Sequence, residues 1–406
     1  IPCARHHPAH PRCDAHDRMH MIYLDHAATT VPRDEARAAL ARWLDPHAGL
    51  GNASSAHAAG RRARLVVEEA REQIAAALGA SPNDIVFTSG GTEADNLAVK
   101  GLAWAAARRG RRHLVTSAVE HPAVLDSVRW LAEHDGFTLT VVPPQHDGRV
   151  DVELVLAAVR DDTGVVSLMA ANNELGAIND IATLGTALRD RGVACHVDAV
   201  QAYASLDVDV SAWPIDALAL SAHKFGGPGG VGIAYLRRGV PVVPLLHGGG
   251  QDRGVRSGTF AAALDAACAA AATAAAAGRS TVRVQMRDLA DRLAAGFVGV
   301  GGVRRNGPAE PDWRLASHVH VSVQGVDAEA LLFALDQAGL CVSTGSACHS
   351  GASRASHVLI ATGLDDLASV RASVGWTSTR EEVDAAVEIF AEAVRKLRAV
   401  GGGGVR

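Results

Sequence analysis

The sequence has 406 residues, of which 48% are hydrophobic and 20% are charged, and its formal net charge is −5. This length allows one large domain and one smaller domain, each with its own core. The negative charge gives no reason to expect direct binding to nucleic acid or to a membrane surface. The longest apolar stretch, 261–277, is mostly alanine, so it predicts a packed helix and not a membrane span.

The first 18 residues are rich in His, Pro and Arg and lack the apolar core of a secretory signal. We predict that 1–18 is a disordered extension. Cys3, Cys13 and the histidines around them match no metal-ligand spacing, so no metal site is predicted. The six cysteines are scattered and include no CxxC pair, which favours free thiols in a reducing compartment and a cytoplasmic location.

From about residue 80, short apolar runs alternate with amphipathic helical stretches. The predicted strands are 85–88, 113–117, 138–142, 165–170, 194–197, 217–221 and 232–236. Helices are predicted between them over 92–109, 122–134 and 181–191. This alternation predicts an α/β fold in which a mostly parallel sheet of seven strands is covered on both faces.

After Gly258 the pattern changes to long helices, predicted over 260–277 and 281–298. A strand follows at Val319, Val321 and Val323, and helices are predicted over 328–337 and 381–400. This part of the chain indicates a smaller α+β domain. The predicted domains are a large one over 32–260 and a small one formed by 19–31 together with 261–406.

Polar side chains follow the predicted strands, where ligands bind in open parallel sheets. Residues 89–93 contain Gly91 and Thr92 and open a helix, as in a phosphate-binding cup, although a plain tight turn explains the same pattern. The polar residues after the other strands are Glu120 and His121, Asn172 and Asn173, Asp198 and Gln201, and His223 and Lys224. Together they place a phosphate cup, an imidazole, a carboxylate and an amine at one edge of one sheet.

That combination suits pyridoxal phosphate, which needs an amine, an acid for its pyridine nitrogen, a stacking ring and a phosphate pocket. The chain has three lysines, so the choice of amine is narrow. Lys100 and Lys396 lie within predicted helices. Lys224 alone follows a strand and precedes a glycine-rich turn, so it is the predicted cofactor lysine.

Several longer stretches match one known group of enzymes, in order along the chain. They are 23–30, 52–57, 87–93, 120–122, 172–176, 196–201, 221–224, 248–259 and 345–348. The sequence resembles the class V aminotransferases of the fold-type I pyridoxal-phosphate enzymes, and within them the NifS- and IscS-like cysteine desulfurases with a Gly-Ser-Ala-Cys site. The resemblance runs from about residue 22 to 376.

The resemblance implies a role for each candidate residue. Lys224 would bond the cofactor, Asp198 would keep the pyridine nitrogen protonated, and His121 would stack on the ring. The remaining cofactor contacts would come from Gln201 at the phenolic oxygen and from Gly91, Thr92, Ser221 and His223 at the phosphate. Thr259 of a second subunit would join the phosphate site, which would then exist only in a homodimer. Asn173 and Arg371 would hold the substrate, with Arg371 forking onto its carboxylate.

The segment 343–354 is small, polar and glycine-containing, and predicts an exposed loop around Cys348. Cys195, Cys268 and Cys341 lie in apolar surroundings and are predicted to be buried thiols. The resemblance implies that Lys224 removes the Cα proton of L-cysteine and that the Cys348 thiolate takes its sulfur as a persulfide, leaving alanine. His349 and Arg354 are candidates to favour the thiolate.

The persulfide would pass to an acceptor protein, in iron–sulfur cluster assembly, tRNA thiolation or DNA phosphorothioation. Two features depart from the family pattern: 352–356 replaces the usual Leu-Glu-Pro-Ser segment, and Ala372 stands where an aromatic residue is common. Two alternatives stay open. One is a selenocysteine lyase or another β-lyase that needs no persulfide on Cys348, and the other is a catalytically silent scaffold with the same fold.

Overall fold

The computed structural model describes residues 21–45, 49–344 and 356–401. Its strands are β1 Ile22–Tyr23, β2 Ile85–Thr88, β3 His113–Ser117, β4 Thr138–Val142, β5 Thr163–Ser167, β6 Ala194–Asp198, β7 Ala217–Ser221, β8 Gly232–Leu236, β9 Val303–Asn306, β10 His318–Val323, β11 Leu340–Cys341 and β12 Ala368–Ser373. Its α-helices are α1 Asp34–Leu44, α2 Ala58–Leu78, α3 Gly91–Ala107, α4 Pro122–His134, α5 Val152–Ala157, α6 Ile181–Asp190, α7 Ala262–Val298, α8 Ala328–Gln337, α9 His357–Thr362 and α10 Arg380–Gly401.

The main sheet has seven strands in the order β2-β8-β7-β6-β5-β3-β4. The strands from β7 to β4 pair in parallel, whereas β8 is antiparallel to both β2 and β7. All strands except β8 therefore end at the same edge of the sheet. The predicted α/β fold with a mostly parallel seven-stranded sheet is confirmed. The shared edge brings together the segments that follow β2, β3, β5, β6 and β7.

A smaller antiparallel sheet has the order β12-β10-β9. Its apolar face carries Val319, Val321 and Val323, which are fully buried against α7 and α10. The opposite face of β10 carries His318, His320 and Ser322, and His320 lies directly opposite Arg371 of β12. The small sheet thereby holds Arg371 on a strand that lies far along the chain from the strands of the main sheet. The smaller C-terminal domain is confirmed, whereas the exact domain limits stay a prediction.

The prediction of two helices over 260–277 and 281–298 is wrong, because α7 is one continuous helix of 37 residues. Gly278, between the two predicted helices, has space around it and no positive φ. A glycine inside a helix costs only about 1 kcal/mol relative to alanine, and the alanine-rich flank easily outweighs this. The first half of α7 packs in the core of the large sheet, and the second half packs against the small sheet.

The helices α1 and α2 precede the region for which elements were predicted. His57 caps α2 by accepting a hydrogen bond from the backbone N of Gly60 at 3.2 Å, and Gly79 ends the helix in the left-handed conformation. Both helices pack on α7. Within the described parts of the chain, no helix combines the length and the apolar character that a membrane crossing requires.

Candidate active site

Lys224 lies just beyond the end of β7, in a short 3₁₀ turn over Ala222–Lys224. Its Nζ donates hydrogen bonds to the backbone oxygens of Ala27 at 2.6 Å and Ala28 at 2.8 Å. The Gln201 amide nitrogen donates to the same Ala27 oxygen at 2.8 Å. The segment after β1 therefore holds the amine of Lys224 and the amide of Gln201 side by side.

Asp198 ends β6, and its carboxylate is buried beside His121 and Lys224. Its Oδ1 accepts a hydrogen bond from the backbone N of Val200 at 2.9 Å. Burial raises the pKa of Asp198, and the charges of His121 and Lys224 oppose that rise. A carboxylate between two basic groups is well placed to pair with a protonated ring nitrogen.

His121 is the N-cap of α4, where its Nδ1 accepts a hydrogen bond from the backbone N of Ala123 at 3.1 Å. Since Nδ1 accepts, the proton of the neutral imidazole is on Nε2. The pKa of His121 is lowered, chiefly by burial, and the charge of nearby Asp198 opposes this shift. The cap thus fixes both the orientation of the ring and its tautomer.

The N-terminus of α3 is pressed against the ends of β6 and β7. A Cβ atom on Gly91 would lie 2.9 Å from Cγ2 of Val200 and 3.3 Å from Cβ of Ser221, so only glycine fits there without a shift. Thr92 is exposed, and Ser221 is buried. A helix N-terminus with hydroxyl groups beside it is a favourable site for a phosphate.

His223 lies on the same sheet edge as the candidate phosphate site. Its Nδ1 lies 3.2 Å from the Thr29 hydroxyl, and burial together with the charge of Lys224 lowers the pKa of His223 to about 4. A neutral imidazole can still donate a hydrogen bond to a phosphate oxygen. The candidate cup therefore combines backbone amides, hydroxyls and one imidazole.

Arg371 comes from the small sheet, and its side chain, which is 4% exposed, reaches Asn173, which follows a strand of the main sheet. Its Nη1 donates to the backbone oxygen of Asn173 at 3.0 Å, and its Nη2 pairs with Oδ1 of Asp25 at 2.7 Å. Its Nε is buried and has no hydrogen-bond partner among the residues that the structure describes. That N–H is available to a substrate carboxylate.

Two further carboxyl groups lie beneath the site. Oε1 of Glu120 accepts hydrogen bonds from the Ser117 hydroxyl at 2.6 Å and from the backbone N of Met169 at 3.0 Å. Burial, together with the charge of Asp198, raises the pKa of Glu120 to about 8. Burial also raises the pKa of Asp95, next to His196. Among these three carboxyl groups, the charge of Lys224 opposes the rise in pKa at Asp198.

Not every predicted residue lies in this group. Thr259 is exposed, and no hydrogen bond in the described parts of the chain involves its side chain. The nearby Arg256 pairs with Glu93 of α3 at 2.7 Å, which ties this segment to the helix that begins the cup.

The cysteines differ in their surroundings. Cys348, His349 and Arg354 lie outside the described residues. Cys195 and Cys268 are buried as predicted, and burial raises the pKa of both thiols. The prediction for Cys341 is wrong, because that residue is only half-buried. It ends β11, which pairs with β1 in a sheet of two short strands in the part of the chain that the structure describes.

The sequence patterns gave no role to Asp25 or Glu174, although both lie inside matching stretches, 23–30 and 172–176. Asp25 holds Arg371, and Glu174 accepts a hydrogen bond from the Ser356 hydroxyl at 2.6 Å. The signal in the sequence was that each of these stretches contains a single carboxylate.

A family model described as aminotransferase class-V matches residues 22–386. An IscS-like cysteine desulfurase of Mycobacterium tuberculosis is 46% identical in an alignment of 389 residues that covers 93% of this chain and 97% of the relative. The cysteine desulfurase IscS of Methanosarcina thermophila is 40% identical, and 93% of each chain is covered.

The chain belongs to the class-V aminotransferase family, and within it to the cysteine desulfurases. A solved structure of a NifS-like protein is 34% identical with a TM-score of 0.86, and the match covers 93% of this chain and all of that one. The cofactor of the family is pyridoxal phosphate. The groups present in this chain fit pyridoxal phosphate. They are the Lys224 amine held by two backbone carbonyls, the buried Asp198 carboxylate, and a helix N-terminus at which Gly91 leaves no room for a Cβ.

Proposed function

We propose that this enzyme converts L-cysteine to L-alanine and transfers the sulfur to Cys348. The observation that carries the proposal is the convergence of Lys224, Asp198 and His121 at one edge of the sheet, next to a buried arginine with an unused N–H. An amine, an acid and a carboxylate-binding group in one place suit the chemistry of an amino acid at its Cα.

Pyridoxal phosphate would be bonded by Lys224, with Asp198 at its pyridine nitrogen, His121 on its ring and Gln201 near its phenolic oxygen. Gly91, Thr92, Ser221 and His223 would hold its phosphate. When bound, the cofactor supplies an electron sink for the electrons released at the substrate Cα.

The protein groups orient the substrate and move its protons. Arg371 would bind the substrate carboxylate through Nε, while its contacts with Asn173 and Asp25 keep the guanidinium in place. Asn173 would complete the substrate pocket. The amine of Lys224 would take the proton from Cα, since it comes from the segment that flanks the cofactor position.

Sulfur transfer would then occur at Cys348. Its thiolate attacks the substrate sulfur, a sulfur–sulfur bond forms and the Cβ–sulfur bond breaks. The bonding electrons stay with the carbon, which takes up a proton and leaves as alanine. The sulfur remains on Cys348 as a persulfide that an acceptor protein can remove.

We further propose a homodimer in which Thr259 of the partner subunit completes the phosphate cup. The exposure of this threonine, and the ion pair that ties its segment to α3, support the proposal. A cytoplasmic location fits the scattered cysteines. A net charge of −5 argues that the sulfur reaches any nucleic acid through a protein.

The test measures alanine and sulfide together during anaerobic incubation with L-cysteine and a thiol reductant. Wild type, Lys224→Ala, Cys348→Ala and the control Cys195→Ala would be run in parallel. We expect equal alanine and sulfide from wild type and from the control, and neither product from the other two variants. Sulfide release that survives Cys348→Ala would contradict the persulfide step and favour a β-lyase.

A further inference from the structure

A buried hydrogen bond joins the turn after β5 to the start of α9. The Ser356 hydroxyl donates to Oε1 of Glu174 at 2.6 Å, and the two residues are 6% and 3% exposed. The same hydroxyl oxygen accepts a hydrogen bond from the backbone N of Val358 at 3.1 Å and so caps α9. Ser356 also directly follows 345–355 in the sequence, the segment that carries Cys348.

The turn that carries Glu174 is held firmly. The side-chain oxygen of Asn172 accepts hydrogen bonds from the backbone N of Glu174 at 2.9 Å and of Leu175 at 2.8 Å. Gly176 closes the turn at a φ of +70°, where an added Cβ would lie 2.7 Å from Cβ of His318. A carboxylate on so constrained a backbone can set the position of whatever binds to it.

Glu174 also adjoins the substrate pocket. It follows Asn173, whose backbone oxygen accepts the hydrogen bond from Arg371. Burial raises the pKa of Glu174 to about 7, while the Ser356 hydroxyl and the charge of Arg371 oppose the rise. Arg371 is therefore linked to Ser356 by two hydrogen bonds, one from Arg371 to Asn173 and one from Ser356 to Glu174, the next residue in the chain.

Ser343, which precedes 345–355 in the sequence, is hydrogen-bonded to Arg371 of the same proposed pocket. The backbone N of Ser343 donates to the oxygen of Arg371 at 3.0 Å, and the backbone N of Arg371 donates to the oxygen of Ser343 at 2.6 Å. On the other side, Nε2 of His357 lies 2.9 Å from the backbone oxygen of Glu120, the residue before His121. Both flanks are thus hydrogen-bonded to residues around the proposed substrate and cofactor positions.

We propose that Glu174 and Ser356 are positioning residues for sulfur transfer. Their hydrogen bond holds one end of the Cys348 segment at a fixed place relative to the arginine that binds the substrate carboxylate. This inference rests on the proposed function, because it takes Cys348 as the sulfur acceptor. Transfer between two sulfur atoms depends steeply on their placement, so a loose anchor slows that step more than the chemistry at Cα.

The experiment compares the holoenzyme with Ser356→Ala, which removes the hydroxyl, and Ser356→Thr, which restores it. Asp327→Ala is the matched control, since Asp327 is also a helix cap, at the start of α8, where it accepts a hydrogen bond from the backbone N of Ala330 at 2.9 Å. Within the described residues, Asp327 makes no hydrogen bond to Glu174 or Ser356. Two rates are measured. The first is exchange of the Cα hydrogen of L-alanine in D₂O, and the second is persulfide formation on Cys348 in a single turnover with L-cysteine, followed by mass spectrometry.

We expect Ser356→Ala to exchange the Cα hydrogen within about twofold of wild type and to form the persulfide about tenfold more slowly, which is about 1.4 kcal/mol of lost positioning. Ser356→Thr should recover most of the transfer rate, and Asp327→Ala should leave both rates unchanged. Equal slowing of both rates, or normal transfer in Ser356→Ala, would overturn the inference. Absence of a Cys348 persulfide in wild type would instead overturn the proposed function, and the inference with it.

Discussion

Replacing Gly91 by alanine is the sharpest test of the cofactor cup. The new Cβ would lie 2.9 Å from Cγ2 of Val200 and 3.3 Å from Cβ of Ser221, and both neighbours belong to the edge of the main sheet. Neither contact is the far end of a flexible side chain. The N-terminus of α3 must therefore move away from the edge at which the phosphate is proposed to bind.

The expected magnitude follows from two opposing effects. Overpacking of this kind costs about 1–3 kcal/mol, whereas alanine gains up to about 1 kcal/mol over glycine in a helix. We expect the free energy of unfolding of cofactor-free Gly91→Ala to fall by about 1–2 kcal/mol. Since the strain falls on the cup, affinity for pyridoxal phosphate should fall by roughly tenfold, equivalent to about 1.4 kcal/mol.

Gly278→Ala provides the matched control. Gly278 lies inside α7, and an added Cβ would meet only Cγ2 of Val282 at 3.8 Å, an ordinary contact. This variant should gain about 0.5–1 kcal/mol of stability with no change in cofactor affinity. Urea unfolding and absorbance titration with pyridoxal phosphate would measure both quantities. If Gly91→Ala binds the cofactor as wild type does, the proposed position of the cup is wrong.

Two other substitutions test the charges around the site. Asp25→Asn keeps an oxygen near Nη2 of Arg371 but removes the negative charge, so the free energy of unfolding should fall by roughly 1–3 kcal/mol. L-alanine should bind several-fold tighter, because its carboxylate replaces the lost negative charge beside the guanidinium. Calorimetry that shows neither change would refute this reasoning. Glu120→Gln keeps an acceptor for the Ser117 hydroxyl. Because the folded pKa of Glu120 is raised from 4.5 to about 8, its contribution to stability is present below pH 4.5 and is lost as pH rises to 8, by about 1.4 kcal/mol per pH unit. Urea unfolding between pH 5 and 8 should therefore show a flatter profile for Glu120→Gln, and parallel profiles would contradict the assignment.

The main sheet was the most predictable part of the fold. β2, β3, β4, β7 and β8 have the bounds that the sequence predicts, because each is a short apolar run between turn residues. β5 begins at Thr163, two residues earlier than predicted, because its pairing with β3 starts there. The sequence pattern did not predict the continuity of α7, because Gly278 is compatible with a helix end as well as with a helix interior. The low cost of a glycine in an alanine-rich helix and the packing of the two halves against two cores together keep the helix continuous.

The candidate site was predictable where its residues follow strands. Lys224, Asp198 and His121 meet because parallel strands end at one edge, so their position along the chain predicts their position in space. Arg371 was assigned only through the family resemblance. Nothing in its local sequence indicates that its side chain reaches from the small sheet to the backbone oxygen of Asn173, 198 residues away.

The sequence by itself determined the chemistry of this protein: one lysine after a strand, an acid and an imidazole at the same sheet edge, and a cysteine in a Gly-Ser-Ala-Cys segment. The tertiary structure decided what holds these groups, including the Ala27 oxygen on Lys224 across 197 residues and Glu174 on Ser356 across 182. The physical reason is that side-chain patterns record local periodicity. A backbone carbonyl is present in every residue, so its role as an acceptor appears only when the chain has folded around it.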